Sequence, residues 1–263
     1  MKAIYERELK SYFYSMTGYV FIAFVTMFIG IYFMVYNMIN GYPYFSYTLS
    51  STLMILMIAV PILTMRSMSD ERRSRTDQML LTAPVSVWDI VLGKYLSMVT
   101  IFAIPMAIAC LCPLIIKANG TAYLAEDYAS ILAFFLMGCV YIAIGLFISS
   151  LTESQLIAAA GTFGILLLLI LWPGLLNFLP TTAYGSLAGL LILWSLVCFI
   201  LYRLTGHIPL SLGLEILGAA GLIGTYLINQ RLLEHGLKDI LEKIVLTDVF
   251  DSIVKIGRAS CRE

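Results

Sequence analysis

Charge is scarce in this chain. Asp, Glu, Lys and Arg make up 12% of 263 residues and hydrophobic residues 60%, where an ordinary soluble domain is about 25% charged. The formal net charge is zero, which gives no basic surface for a nucleic-acid partner. Metal-ligating side chains are equally sparse. The two histidines, His207 and His235, stand alone, and the five cysteines include no Cys-x-x-Cys and no Cys/His cluster. Cys110, Cys139 and Cys198 lie inside apolar runs and read as small packing residues. No Ser/His/Asp set and no paired carboxylates in a polar setting occur, so the chain is not read as an enzyme. Gly93-Lys94 is not a P-loop, because no glycine-rich turn precedes it and Tyr95 follows the lysine. No cofactor is expected on this chain. Lys2 to Tyr14 lacks the apolar core of a signal peptide, and nothing alternates in the segments of about 10 residues that build a membrane β-barrel.

Long uncharged runs are what the chain does have. A bilayer crossing takes about 20 apolar residues, and seven such runs occur: Gly18–Met38, Thr48–Met65, Tyr95–Ile116, Tyr128–Leu151, Gln155–Leu176, Ala183–Tyr202 and Leu210–Ile228. The expectation is an all-α polytopic membrane bundle. Tyr19, Tyr36, Tyr47, Tyr95, Tyr128, Trp172, Tyr202 and Tyr226 near span ends suit an interfacial belt. Pro61, Pro105, Pro173 and Pro209 fall in or beside spans, where a bundle tolerates kinks. Thr152-Glu-Ser-Gln155 has capping-box spacing at the start of the fifth span. Gly138, Gly145, Gly161 and Gly164 permit close helix approach, and packing is their expected use.

Before the first span, Tyr5, Leu9, Tyr12 and Phe13 recur at helical spacing, with Glu6 and Lys10 set four apart on another face. This predicts a short amphipathic helix lying on the membrane surface with its aromatic side among the headgroups. Basic residues set the orientation. Lys2, Arg7 and Lys10 precede span one, and Arg66, Arg72, Arg73, Arg75 and Lys94 follow span two, whereas the other side of the first five spans carries only Lys117. Lys and Arg resist translocation, so the N-terminus and the second loop are expected in the cytoplasm.

That loop is more than a polar linker. Ser86-Val-Trp-Asp89 has capping-box spacing and starts a helix at Val87 that feeds span three. Pro84 pushes its predecessor out of the α region and separates this helix from a shorter one before it. Met79, Leu80, Leu81 and Val85 are left on a cytoplasmic loop, where apolar side chains call for a covering partner.

Glu71-Arg72, Thr76, Leu80-Leu81, Pro84-Val85-Ser86 and Gly93-Lys94 together resemble the loop of ABC-2 family transporter permeases, in particular the gliding-motility and copper-processing branch and its elongated clostridial-like subgroup. Arg7-Glu8-Leu9-Lys10-Ser11-Tyr12-Phe13 resembles that family's elbow helix. Arg75 stands where the family pattern has glycine and Asp77 where it has glutamate. The resemblance is strong over residues 1–175 and weaker beyond. It implies a permease subunit of an ABC exporter in the bacterial cytoplasmic membrane. Glu71, Arg72, Thr76, Leu80, Leu81, Pro84, Val85, Ser86, Gly93 and Lys94 are then the coupling loop (66–94), which seats on a separate P-loop ATPase. ATP and Mg are bound by that partner, and a second permease copy or paralogue completes a dimer.

Residues 1–255 are read as one transmembrane domain. Residues 229–255 form an extracytoplasmic amphipathic segment built on Leu233, Leu237, Ile240, Leu241 and Ile244. Ile256-Gly-Arg-Ala-Ser-Cys-Arg-Glu263 is aperiodic and resembles the in-frame translation of a sequencing adapter. It is read as a non-native tail on a truncated chain that lacks an eighth span. Glu215 sits about six residues into span seven, within reach of Arg203 or His207. Structural pairing is preferred there to a proton or substrate role. Two rival classes stay open. An ion- or proton-coupled carrier requires mid-bilayer charges and repeated halves. A non-transporting membrane anchor for an ATPase would show hydrolysis without substrate movement.

Overall fold

The computed structural model describes residues 2–74, 86–121 and 123–176, with isolated positions at 187, 191 and 195. The contacts divide the chain into two units; the first covers Met1–Ile170, and the second, from Leu171, contributes the last turn of one helix to the described residues. All regular elements among the described residues are helical. They are α1 (Lys2–Tyr14), α2 (Met16–Phe33, continued by a π-helical turn at Met34–Ile39), α3 (Ser46–Thr64), α4 (Ser69–Ser74), α5 (Val87–Ala109), α6 (Cys112–Asn119), α7 (Leu124–Leu151) and α8 (Gln155–Leu176).

Among the described residues, five helices are long and apolar enough to cross a membrane, in agreement with the first five expected spans. The sixth and seventh spans, Glu215 with Arg203 and His207, the amphipathic segment 229–255 and the tail 256–263 lie outside the described residues. The third span begins earlier than the apolar run suggests. Ser86 caps it, with Oγ accepting from the Trp88 N–H at 3.3 Å, so the helix starts at Val87 as the capping signal required. It ends at Ala109, and a turn at Cys110-Leu111 sets α6 apart where one continuous span was expected.

Two local expectations are corrected. Glu6 pairs with Lys2 at 3.9 Å, one turn earlier, and not with Lys10. Thr152 does not close a capping box: its Oγ1 accepts from the Ser154 N–H at 3.1 Å, and the Gln155 amide leaves the turn to bond Asp70.

In lipid the hydrophobic effect does not hold spans together, so close packing and polar ties must. α7 supplies the close packing. A Cβ built on Gly138 would stand 2.2 Å from the Phe102 ring of α5, and one on Gly145 2.4 Å from Thr64 Oγ1 of α3. Phe102 is fully buried and wedged among Phe21, Phe134 and Phe135, with ring centroids 5.7–6.4 Å apart. It has nowhere to retreat.

At the end of the bundle opposite α1 and α4, polar ties take over. Asn37, on the π-helical turn, donates to the carbonyls of Tyr42 and Tyr44 at 2.9 and 3.1 Å and accepts from Thr48 Oγ1 at 2.8 Å. Asp127, in the first turn of α7, accepts the Phe45 N–H at 2.8 Å while fully buried. The hairpin between α2 and α3 is thereby fastened to α7. The expected fourth span starts at Tyr128, whereas the helix starts at Leu124 and takes in Asp127.

Because Phe102 cannot yield, Gly138→Ala should destabilise the detergent-solubilised protein by about 1–3 kcal/mol, the usual cost of overpacking. Gly164 meets nothing within 4 Å, so Gly164→Ala should be neutral or stabilising. Paired thermal unfolding curves check both; equal losses would contradict this packing.

Candidate functional site: a charged ring at the base of the second loop

Lys94 lies two turns into α5, and its side chain is only 1% exposed. An isolated buried ammonium costs several kcal/mol even after relaxation, so its three N–H donors need acceptors. They have them: the Ser67 carbonyl at 2.8 Å, Glu71 Oε1 at 2.9 Å and Glu8 Oε1 at 3.3 Å. Arg7 then contacts the same two carboxylate oxygens, Glu8 at 2.7 Å and Glu71 at 3.0 Å. The four charges alternate around a closed ring and sum to zero. Hydrogen bonding to Glu8 is the largest cause that raises the Arg7 pKa above its ordinary value, so Arg7 stays a cation in the ring.

Each member comes from a different part of the chain. α1 supplies Arg7 and Glu8, α4 supplies Glu71, and α5 supplies Lys94. The packing that brings them together is local and close. Gly93 lets α1 cross α5, since a Cβ there would meet Ile4 Cγ2 at 3.1 Å. Tyr5 reaches Thr100 at 3.0 Å. Tyr12 is buried and donates to the Leu63 carbonyl at 3.2 Å; burial pushes its hydroxyl pKa well above the ordinary value, so it stays a donor. The aromatic stripe of α1 therefore packs onto α3 and α5. The expectation that it faces the headgroups is corrected for Tyr5 and Tyr12. Phe13 packs edge-on against Tyr19 at 5.8 Å, and Lys10 is exposed.

Further ties run from the same segment to α7 and α8. Ser149 Oγ accepts from the Met68 and Ser69 N–H groups at 3.2 and 3.3 Å and donates to the Met65 carbonyl at 3.3 Å. Asp70 pairs with Arg66 at 3.1 Å and accepts from Gln155 at the start of α8. Sequence reading missed Ser149, Asp70 and Gln155. The one available signal was a glutamine opening a span, and it was assigned to local capping.

The sequence-derived loop residues thus divide. Glu71, Gly93 and Lys94 are gathered with the α1 residues Arg7, Glu8 and Tyr12 at the foot of the loop. Ser86 caps α5, and Arg72 is exposed on α4. Thr76, Leu80, Leu81, Pro84 and Val85 lie outside the described residues, in the segment 75–85 between α4 and Ser86. Among the described residues, no group of three His, Cys, Asp or Glu is placed to hold a metal ion.

Lys94→Met would leave two carboxylates facing each other at low exposure. We expect a loss on the order of 3 kcal/mol, typical of breaking a buried pair by removing one partner. Arg7 is 54% exposed, so Arg7→Gln should cost under about 1 kcal/mol. Thermal unfolding of both variants in one detergent decides this, and similar losses would remove Lys94 from the centre of the ring.

No curated protein and no solved structure matches the chain. A family model does, over residues 46–190, which run from the start of α3 through the ring's α4 and α5 members to beyond α8. With five long apolar helices and a matched region covering more than half its length, this chain belongs to the ABC-2 family of membrane transporter proteins.

Proposed function

We propose that the chain is the permease subunit of an ABC exporter, driven through its second loop by a separate ATPase. The observation that supports this most is the charged ring. The segment 75–85 carries Leu80, Leu81 and Val85, and both its ends enter one scaffold: α4 through Glu71 and α5 through Lys94. Force delivered to that segment reaches α1 and α5 through short ionic contacts and reaches α7 and α8 through Ser149 and Asp70. Packed helices respond to such a force by shifting as rigid bodies.

On this reading α1 is the elbow helix, and the N-terminus and loop face the bacterial cytoplasm, as the basic residues at that end favour. ATP and Mg belong to the partner, and a second permease copy or paralogue completes the pathway. The motif residues Glu71, Arg72, Thr76, Leu80, Leu81, Pro84, Val85, Ser86, Gly93 and Lys94 favour the gliding-motility and copper-processing branch.

Replacing Leu80 and Leu81 together with Asp should abolish co-purification of the ATPase subunit while membrane insertion stays unchanged; undiminished co-purification would remove the docking role. The orientation has its own check. In sealed vesicles, Arg72→Cys and Arg73→Cys should react with an impermeant maleimide only from the cytoplasmic side, and labelling from outside would overturn the topology.

A further inference from the structure

Between the first turns of α5 and the last turns of α7 lies a groove of about 340 Å³, near the lower bound of ligand pockets at about 300 Å³. Leu92 and Tyr95 form one wall, Ala143, Phe147 and Ser150 the other, and Met68 closes the end next to α4. Its two hydroxyls are turned away to backbone: Tyr95 donates to the Cys139 carbonyl at 3.2 Å and Ser150 to the Phe147 carbonyl at 2.6 Å. The groove therefore offers hydrocarbon surface and no free side-chain donor. A peptide or a polar solute would lose hydrogen bonds on entering it; an alkyl chain would lose none.

The residues one turn beyond the lining are different. Trp88, 76% exposed, precedes Leu92 by one turn on the same stripe of α5, and an exposed tryptophan suits a membrane boundary. Arg72 follows Met68 by one turn, its N–H bonded to the Met68 carbonyl at 3.1 Å, so both lie on one face of the turn that leads into α4. Arg72 and Arg73 are exposed, and neither has an ion-pair partner among the described residues. An apolar slot with an exposed guanidinium one helical turn beyond its Met68 wall is complementary to an amphiphile with an alkyl tail and an anionic head.

We propose that this groove binds an anionic phospholipid of the cytoplasmic leaflet, with one acyl chain between α5 and α7 and its phosphate at Arg72. The proposal rests on the cytoplasmic placement of the loop but not on ATPase docking. A lipid seated there abuts Met68, whose N–H Ser149 holds, and so braces the turn from which α4 starts.

The test uses the full chain without any ATPase, in nanodiscs doped with phosphatidylglycerol or phosphatidylcholine carrying a photoactivatable group on the acyl chain. The phosphatidylglycerol probe should label the α5 and α7 peptides about fivefold more than its zwitterionic twin, the effect of one basic residue at an anionic surface. Arg72→Gln, a change at an exposed side chain, should erase that difference. Ala143→Phe, which fills the groove, should lower labelling by both probes. Equal labelling by the two headgroups, labelling indifferent to both variants, or crosslinks between two copies of the chain at Phe147 would each overturn the proposal.

Discussion

A single buried ammonium governs one end of this protein. Lys94 is 1% exposed, and Ser67, Glu71 and Glu8 all lie within hydrogen-bonding distance of its ammonium. Those three acceptors belong to the turn after α3, to α4 and to α1. Moving any one of them away exposes the cost of an uncompensated charge, so the four pieces keep one arrangement or change together. Arg7, more than half exposed, contributes little energy of its own. Its role is to neutralise the second negative charge, which would otherwise leave the ring at net minus one.

The opposite end is secured by neutral and singly charged groups. Asn37 spends both faces of its amide on the hairpin and on Thr48, and Asp127 takes the Phe45 N–H. Asp127 Oδ2 is buried with no hydrogen-bond partner among the described residues, so this clamp is less fully satisfied than the ring. The first-turn position of Asp127 on α7 offsets part of that deficit, because a helix N-terminus favours negative charge. Between the two ends the spans meet through glycine notches and stacked rings. Polar ties at both ends then set the register that an apolar middle leaves underdetermined in lipid.

How much of this could be read in advance follows from what each signal encodes. Runs without charge and the cap at Ser86 are local properties, and they located the first five spans and the start of α5. The break at Cys110-Leu111 shows no change of polarity; its one sequence mark is Pro113, in the first turn of α6. The facing of Lys94 was also hidden. A Gly-Lys pair at the start of a span reads equally as loop or as core, and only the contact of Ile4 with Gly93 decides it. Gln155 and Asp70 are 85 residues apart. Capping rules are short-range, so they assigned Gln155 to its nearest turn. Asn37 was likewise invisible, because its partners depend on a π-helical turn that no periodicity announces.

The division among the loop residues has a mechanical consequence. A docking surface on a freely moving loop would lose conformational entropy on binding and would absorb displacement in its own bending. Here α4, which precedes the segment 75–85, and α5, which follows it, are joined directly by the Glu71 Oε1–Lys94 Nζ contact at 2.9 Å. A push on that segment, on the proposed reading, moves α4 and α5 together, with α1 tied to them through Glu8. On the proposed reading, residues such as Leu80 and Leu81 need only supply contact. On that reading, the charges beneath them convert the contact into movement of the spans, which gives two carboxylates and a lysine at the foot of a loop a role in a chain with little charge.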